Sequence, residues 1–290
     1  MVQQTRPNRR LLGAEIVRLR KAAGLRAADV ATHLKCSETR VSRLENGNGR
    51  VKLHDRELDQ LVKLFGIENQ AQIQALRDLA SDAAQDSAWW DGYREAMPSD
   101  LEPLLAFETD AIAEQAWEST LVHGLLQTRE YARAIVAAWP SNRPVDYDDM
   151  VDVRMKRAEL LTAHETSGRS TALEAWAILD ESVLRRPVGS ADVMRAQIEH
   201  LIELTELPNV RIQIMPEDKG AHPGLGGPFS ILDFEEATPV VYIDSPAGNL
   251  YLDKKYDVRK FTTSFDLLRA MALDPDDSAA RLRDAVKEKR

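Results

Sequence analysis

The segment KCSETRVSRLENG, residues 35–47, constrains the fold more than any other part of the sequence. Val41 and Leu44 lie three residues apart, which is the spacing of one face of an α-helix. Ser37 precedes them as an N-cap residue, and Gly47 follows as a helix stop. The segment therefore predicts a short helix that buries only two large side chains.

Three further helices are predicted around this segment. LLGAEIVRLRKAAG has helical periodicity and ends at a glycine, RAADVATHL gives a shorter helix, and HDRELDQLVKLFG gives the last one. Their predicted inward residues are Leu12, Ile16, Leu19, Ala23, Val30, Ala31, Leu34, Leu58, Leu61 and either Leu64 or Phe65. Residues 1–66 are therefore expected to form an all-α bundle.

The overall charge of the chain, −9, conceals an uneven distribution. Residues 1–66 contain 14 Lys/Arg and 7 Asp/Glu, a net charge of +7, whereas residues 67–290 contain 24 and 40, a net charge of −16. A basic segment on an acidic body indicates that only the first segment contacts a polyanion such as DNA.

With Val41 and Leu44 in the core, the remaining side chains of the third helix form a polar outer face. A helix of this kind enters the major groove of DNA, where such groups bond to base edges and phosphates. Base contacts are assigned to Thr39 and Arg40, and base or phosphate contacts to Ser42 and Arg43. The predicted DNA-binding set also includes Arg26, Lys35, Ser37, Glu38 and Arg50, with Arg26, Lys35 and Arg50 on phosphates. The alternatives are solvated surface charges and a bundle used for protein contact.

The string GAEIVRLRKAAGLRAADVATHLKCSETRVSRLENG resembles the Cro/cI-like (XRE) helix-turn-helix family. This resemblance implies a compact bundle of four or five helices whose third helix reads operator DNA. Two positions depart from the family pattern. Arg26-Ala27 replaces the usual Thr-Gln at the start of the second helix, which leaves Arg26 as the candidate phosphate contact. Lys35 replaces a turn glycine, and a left-handed conformation there costs roughly 1 kcal/mol relative to glycine.

Arg6, Arg9 and Arg10 precede the bundle as a basic arm, which either enters a minor groove or adds non-specific affinity as a flexible tail. Cys36, the single cysteine, is expected to be a buried structural thiol in the turn. One cysteine permits no internal disulfide, and no apolar run is long enough to cross a membrane. These features favour a cytoplasmic protein with no membrane partner.

The rest of the chain is predicted to be α+β, with a helical connector at residues 67–100 and a larger regulatory or interaction domain at residues 101–290. LLAFETDAIAEQAWESTLVHGLLQTREYARAIVAAW is expected to alternate helix and turn. TALEAWAILD, VRIQIMP, PFSILDF and PVVYIDS are short β-branched and aromatic runs bounded by Gly, Pro and Asp. These runs predict a small antiparallel sheet.

Three strings of this body, LVHGLLQTREYARAIV, AILDESVLRRPVG and VRIQIMPEDKGAHPGLGGPFSILDF, resemble the C-terminal Scr1-family antitoxin-like domain of actinobacterial XRE regulators. With the N-terminal string, the resemblance covers essentially the whole chain. It implies a transcriptional regulator, often encoded beside a small partner protein. His123 stands where family members carry a proline.

The sequence contains no phosphate-binding loop, no Gly-x-Ser-x-Gly and no His-Glu-x-x-His, and its six histidines lack metal-ligand spacing. Asp180 and Glu181 are adjacent carboxylates, but a surface turn near Arg185 and Arg186 is favoured over acid/base chemistry. The glycine-rich loop at residues 220–227 is read as a tight entry into a strand. We therefore expect no enzyme, no metal and no cofactor.

Several bulky or polar residues of the body are candidates for a ligand pocket, which is mostly apolar with a few polar groups. They are Trp117, Gln127, Tyr131, Trp139 and Trp176. The favoured alternative is that the aromatic residues fill the core and Gln127 caps a helix.

The sequence thus predicts a sequence-specific DNA-binding transcriptional regulator. One short recognition helix reads too few bases for genomic specificity, so a homodimer on an inverted-repeat operator is expected. The C-terminal domain is expected to sense a small-molecule effector or a protein partner. The alternative is an antitoxin-like protein that captures a small protein and whose DNA binding is autoregulatory.

Overall fold

The structure, a computed structural model, describes residues 7–45, 53–84, 89–98, 100–138, 147–162, 171–235, 238–245 and 248–289. Within these ranges it does not describe the side chains of Pro7, Arg10, Glu38, Thr39, Ser42, Arg43, Ala84 and Asp91. The chain divides into two compact units, Met1–Trp89 and Trp90–Arg290.

The described part of the first unit is helical. Its helices are α1 (Pro7–Ala22), α2 (Ala27–His33), α3 (Glu38–Glu45), α4 (Asp55–Leu64) and α5 (Gln70–Ala84). The first four confirm the predicted helices, and nearly all the predicted inward residues are buried. Ala23 is the exception, because α1 ends at Ala22 and leaves it exposed.

Helix α1 crosses α3 very closely at Gly13. A Cβ atom at this position would lie 2.4 Å from the carbonyl oxygen of Glu45 and 2.7 Å from that of Leu44. These separations are shorter than real Cβ contacts, so the crossing requires glycine. The end of α3 therefore packs against the backbone of α1.

Helix α5 packs in the first unit. Its Leu76, Ala80 and Ala83 lie in the same apolar core as Leu12 and Ile16 of α1. Much of the segment predicted as a connector is thus part of the bundle. The apolar face of α5 consists partly of alanines, so its hydrophobic pattern was too weak for this packing to be inferred from the sequence.

The second unit is α+β, as predicted. Its helices are α6 (Glu102–Asp110), α7 (Arg129–Ala138), α8 (Tyr147–Ala158), α9 (Ser182–Arg185), α10 (Ala191–Leu204), α11 (Lys255–Met271) and α12 (Pro275–Glu288). Its strands are β1 (Ala113–Glu118), β2 (Glu174–Asp180), β3 (Val210–Met215), β4 (Phe229–Asp233), β5 (Val240–Ile243) and β6 (Leu250–Leu252).

The six strands form one sheet in the order β3-β2-β1-β4-β5-β6. β1, β2 and β3 pair in parallel, while β1–β4, β4–β5 and β5–β6 pair antiparallel. The prediction of a small antiparallel sheet is therefore corrected to a larger, mixed one. Parallel pairing requires long crossovers, and α7 with α8, then α9 with α10, provide them.

Helices cover both faces of this sheet. On one face, Leu179, Ile212 and Leu232 lie in a large core that includes residues of α6, α7, α10 and α12. On the other face, Trp117 and Phe229 pack in a separate cluster with residues of α11. Covering on both faces explains why β2, β3 and β4 are almost continuously buried.

Candidate functional site

The turn between α2 and α3 sets the start of the candidate DNA-reading helix. Lys35 has a φ of 54° and is the only non-glycine residue with positive φ in the described ranges. The left-handed turn considered for this position is therefore present, and the lysine strains it. The N–H of Cys36 closes the turn by donating to the carbonyl of Ala31 at 2.9 Å. Cys36 itself is half-buried against the core.

Ser37 caps α3. Its hydroxyl accepts a hydrogen bond from the backbone N–H of Arg40 at 3.2 Å, which is N-cap geometry. Val41 and Leu44 are 1% and 4% exposed, so the predicted inward pair is confirmed. A DNA contact by Ser37 stays a prediction, because the observed role of its hydroxyl is the cap.

Arg40 is not a freely extended side chain. Its two terminal guanidinium nitrogens bind the two carboxylate oxygens of Glu57 in α4, at 2.8 and 3.0 Å. The hydrogen bond to Glu57 raises the pKa of Arg40. Burial raises the pKa of Glu57, but Arg40 and the N–H of His54 outweigh it, so that pKa lies below its ordinary value. Arg40 is therefore held in the bundle by Glu57 although its side chain stays 30% exposed, and its predicted base contact stays a prediction.

A second bidentate pair lies at the other end of α3. Arg20 of α1 binds Glu45 through Nε at 2.5 Å and through a terminal nitrogen at 2.8 Å. A third contact joins Arg20 to the carbonyl of Leu25 at 3.0 Å. The helix is thus fixed at its first turn to α4 and at its last turn to α1.

Among the predicted phosphate contacts, Arg26 and Lys35 are exposed. The side chain of Arg26 is 83% exposed and makes long contacts with Asp29, at 3.4 and 3.5 Å. The remaining predicted DNA-binding side chains lie outside the described part of the chain, so their roles stay predictions. They are Glu38, Thr39, Ser42, Arg43 and Arg50.

The predicted basic arm is partly built into the bundle. Helix α1 already begins at Pro7, and Nε of Arg9 donates to the carbonyl of Ala83 in α5 at 3.2 Å. The description of Arg9 as part of a flexible arm is therefore wrong. Arg6 and the side chain of Arg10 lie outside the described residues.

Two of the predicted ligand-binding residues are core residues. Trp117 and Tyr131 are both 0% exposed, and their polar atoms bind the backbone of Gly224 and Val122. Both residues therefore fill the core, as the favoured alternative expected, and a ligand-binding role for them stays a prediction. Trp117 also explains the glycine-rich loop, since a Cβ at Gly224 would lie 2.3 Å from its indole.

The other ligand candidates also bind protein groups. Trp176 is half-buried, donates to the side chain of Gln213 at 2.8 Å, and lies beneath the guanidinium groups of Arg211 and Arg269. Gln127 is buried and donates to the carbonyl of Val122 at 2.7 Å. Trp139 lies outside the described residues.

Sequence reasoning missed a cluster of charged side chains beside β1, β5, α6 and α8, which we call the polar cluster. Its members are Glu108, Glu114, Glu118, His123, Arg154, Arg157, Tyr242 and Asp244. Glu114 and Glu118 are an even number of residues apart on β1, so both face the same side of the sheet. This even spacing of two carboxylates was not recognised as a strand pattern, because the segment of β1 was predicted to alternate helix and turn.

Arg157 and Glu108 form one buried pair of this cluster. The guanidinium of Arg157 binds both carboxylate oxygens of Glu108, at 2.8 and 2.5 Å, and the two side chains are 7% and 0% exposed. Gly124 makes room for the pair, since a Cβ there would lie 3.1 Å from two nitrogens of Arg157.

His123 and Glu114 form a second buried pair, with Nε2 and Oε1 3.1 Å apart. Burial opposes ionisation of both groups, yet each favours the charged form of the other. The pKa of Glu114 therefore lies below its ordinary value and that of His123 above it. Neither Glu114 oxygen receives a well-aligned hydrogen bond.

Glu118 and Arg154 are poorly compensated in the described structure. Burial raises the pKa of Glu118 to about 7, and the negative charges of Glu114 and Asp244 raise it further. His123, 4.0 Å away, lowers this pKa but offsets only part of the increase. Burial and then Arg157 lower the pKa of Arg154 to about 10. Its one described hydrogen bond goes to Gln127 at 3.2 Å. Such perturbed groups are common at binding sites and in structural networks alike.

Asp180 and Glu181 have structural partners. Asp180 accepts hydrogen bonds from the backbone and hydroxyl of Ser182, and Glu181 accepts one from Arg281 at 2.7 Å. Within the described ranges, no group of three or more His, Cys, Asp or Glu residues is placed to hold a metal ion. No described helix is both long and apolar enough to span a membrane.

The short capped helix α3 follows a tight turn and packs on the other helices of the bundle, which is the arrangement of a helix-turn-helix DNA-binding domain. Residues 11–76 match a family model described as a helix-turn-helix domain. Residues 101–284 match the model of a domain of unknown function, DUF5753. That match spans more than half of the chain, so the protein belongs to the DUF5753 family. No curated protein and no solved structure matches the chain.

Proposed function

We propose that the protein is a transcriptional regulator that binds an inverted-repeat operator as a homodimer in the cytoplasm, and that it is not an enzyme. The observation that carries the proposal is the helix-turn-helix, with α3 capped by Ser37 and backed by Val41 and Leu44. The resemblance to XRE regulators supports the same function. One recognition helix contacts too few base pairs to select a genomic site, which supports two copies about 34 Å apart.

In vitro selection from random duplexes with the full chain tests this proposal. We expect an enriched inverted repeat with half-sites about one DNA turn apart. Light scattering of the complex should give two chains per site. A selection that enriches no sequence, or a monomer both free and on DNA, would contradict it.

We further propose that the second unit senses a small-molecule effector, and that the polar cluster is its responsive part. Glu118 and Arg154 support this, since a largely buried carboxylate whose described ion pair, with His123, is 4.0 Å long and a half-buried guanidinium with no ion pair among the described residues are costly unless something compensates them. Glu118→Gln and Arg154→Gln should each alter the dependence of operator affinity on an added cell metabolite extract. Glu199→Gln, at an exposed position of α10, is the control. Identical responses in all variants would remove the cluster from the proposal.

The alternative is an antitoxin-like regulator whose second unit captures a small protein partner. Exposed apolar side chains favour it: Tyr256 and Leu267 of α11 are 79% and 51% exposed. They are eleven residues apart, about three helical turns, and so lie on the same side of α11. Co-expression with a small protein encoded beside it, which the family resemblance implies, tests this function. Capture that Tyr256→Ser and Leu267→Ser abolish would support it, and no capture would reject it.

A further inference from the structure

Helix α3 has little apolar anchorage. Val41 and Leu44 are the buried apolar residues described in its eight positions, and Gly13 of α1 packs against its last turn. Two side chains on one line fix the distance of a helix from its neighbours better than they fix its rotation about its own axis. The polar contacts at the edges of this line therefore decide the rotation.

Arg40 lies at one of these edges. It precedes Leu44 by four residues, so the two positions differ by only about 40° around the helix. The side chain thus points along the flank of the buried stripe toward α4, and not to the opposite side. This placement explains why its guanidinium meets Glu57, seventeen residues later in the chain.

The pair has a fixed geometry on both sides. Both terminal nitrogens of Arg40 are used by the two oxygens of Glu57. The carboxylate also accepts a hydrogen bond from the backbone N–H of His54 at 3.2 Å, within the first turn of α4. A bidentate contact to guanine would require Arg40 to leave this pair and Glu57 to lose its partner.

We propose that Arg40 is a positioning residue: its pair with Glu57 sets the rotation of α3 on α4, and other side chains of α3 read the bases. This inference rests on the proposed DNA-binding function. It reassigns the strongest candidate for base contact to a supporting role. The reading is left to the predicted positions Thr39, Ser42 and Arg43.

The two roles differ in their response to exchange of the charges. If Arg40 positions α3, the double variant Arg40→Glu/Glu57→Arg rebuilds an ion pair between the same helices and keeps the rotation. If Arg40 contacts DNA, a glutamate at this position repels the phosphates or the acceptor edge of guanine in the double variant as strongly as in the single variant.

The experiment measures the affinity of the full chain for the selected operator and for a random duplex, by fluorescence anisotropy. Glu57→Gln and Arg40→Glu should each lower the operator-to-random affinity ratio by roughly tenfold or more, and the charge exchange should restore most of it. Circular dichroism at the assay temperature confirms folding, and Glu57→Gln keeps the test valid should Arg40→Glu not fold. The matched control exchanges the exposed pair Arg77 and Asp59, which joins α5 to α4 away from α3, and should leave the ratio unchanged.

The positioning role would be overturned if the charge-exchanged double variant did not regain the operator-to-random affinity ratio. It would also be overturned if Glu57→Gln kept the wild-type ratio. A wild-type chain that shows no preference for any duplex would instead contradict the proposed function. The salt dependence provides a further readout, since a lost phosphate contact lowers its slope by about one charge whereas lost positioning does not.

Discussion

The pKa of Glu118 makes the stability of the second unit depend on pH near neutrality. Burial raises this pKa from 4.5 in the unfolded chain to about 7, so the folded protein retains a proton that the unfolded chain releases. The resulting stabilisation is complete below pH 4.5 and is lost as the pH rises through about 7. Between pH 5 and pH 8 the loss amounts to about 2 to 3 kcal/mol, because each tenfold difference in proton affinity corresponds to about 1.4 kcal/mol.

Glu118→Gln should remove this dependence, because glutamine resembles the protonated acid and does not titrate. We expect the variant and the wild type to be nearly equally stable at pH 4, below the unfolded pKa. At pH 8 the variant should be more stable by about 2 to 3 kcal/mol, since the wild type then carries a buried charge that His123 only partly compensates. Urea denaturation of the full chain at several pH values, followed by tryptophan fluorescence, measures both quantities.

Other groups of the polar cluster also titrate, so the comparison uses the difference between proteins. The pKa of His123 is raised against burial as well, chiefly by Glu114 and less by Glu118, so its stabilising effect, likewise lost at high pH, is present in both proteins and smaller in the variant. Glu199→Gln makes the same chemical change at an exposed position and should behave as the wild type. Equal pH slopes in the wild type and Glu118→Gln would refute the reasoning that burial of Glu118 controls this dependence.

Three substitutions of turn and contact residues test the packing by urea denaturation. Lys35→Gly should stabilise the first unit by about 1 kcal/mol by relieving the left-handed turn, and an unchanged midpoint would contradict the strain. Gly13→Ala should destabilise the first unit by about 1 to 3 kcal/mol, because the contact of the new Cβ with the backbone of Glu45 outweighs the gain in helix propensity. A more stable variant would contradict this close packing of α1 on α3. Gly224→Ala should cost a similar amount in the second unit through contact with Trp117, and an unchanged unfolding midpoint would disprove that contact.

Features that depend on neighbouring residues were predictable from the sequence. Ser37, Val41 and Leu44 define the start and the inner face of α3, because a cap and an apolar stripe are local patterns. The left-handed turn at Lys35 was a possibility raised by the family pattern, and the structure has it.

Features that depend on distant partners were not predictable. Arginine is a residue type that commonly contacts DNA, and only the position of α4 reveals that the guanidinium of Arg40 binds Glu57. β1 was missed because its Glu114 and Glu118 are polar where a buried strand is normally apolar. Their counter-charges, His123 and Arg157, come from a loop and a helix that no spacing rule connects to the strand.

The position of β1 in the sheet has a consequence for how the chain folds. Its neighbours are β2, through pairs such as Ala113 with Glu174, and β4, through pairs such as Trp117 with Phe229. The second partner lies more than about 100 residues further along, so during synthesis the central strand emerges long before its sheet is complete. The first unit needs no such distant partner. We therefore expect the DNA-binding bundle to fold on the ribosome while the second unit, with β1 still unpaired on one edge, depends on completion of the chain or on a chaperone.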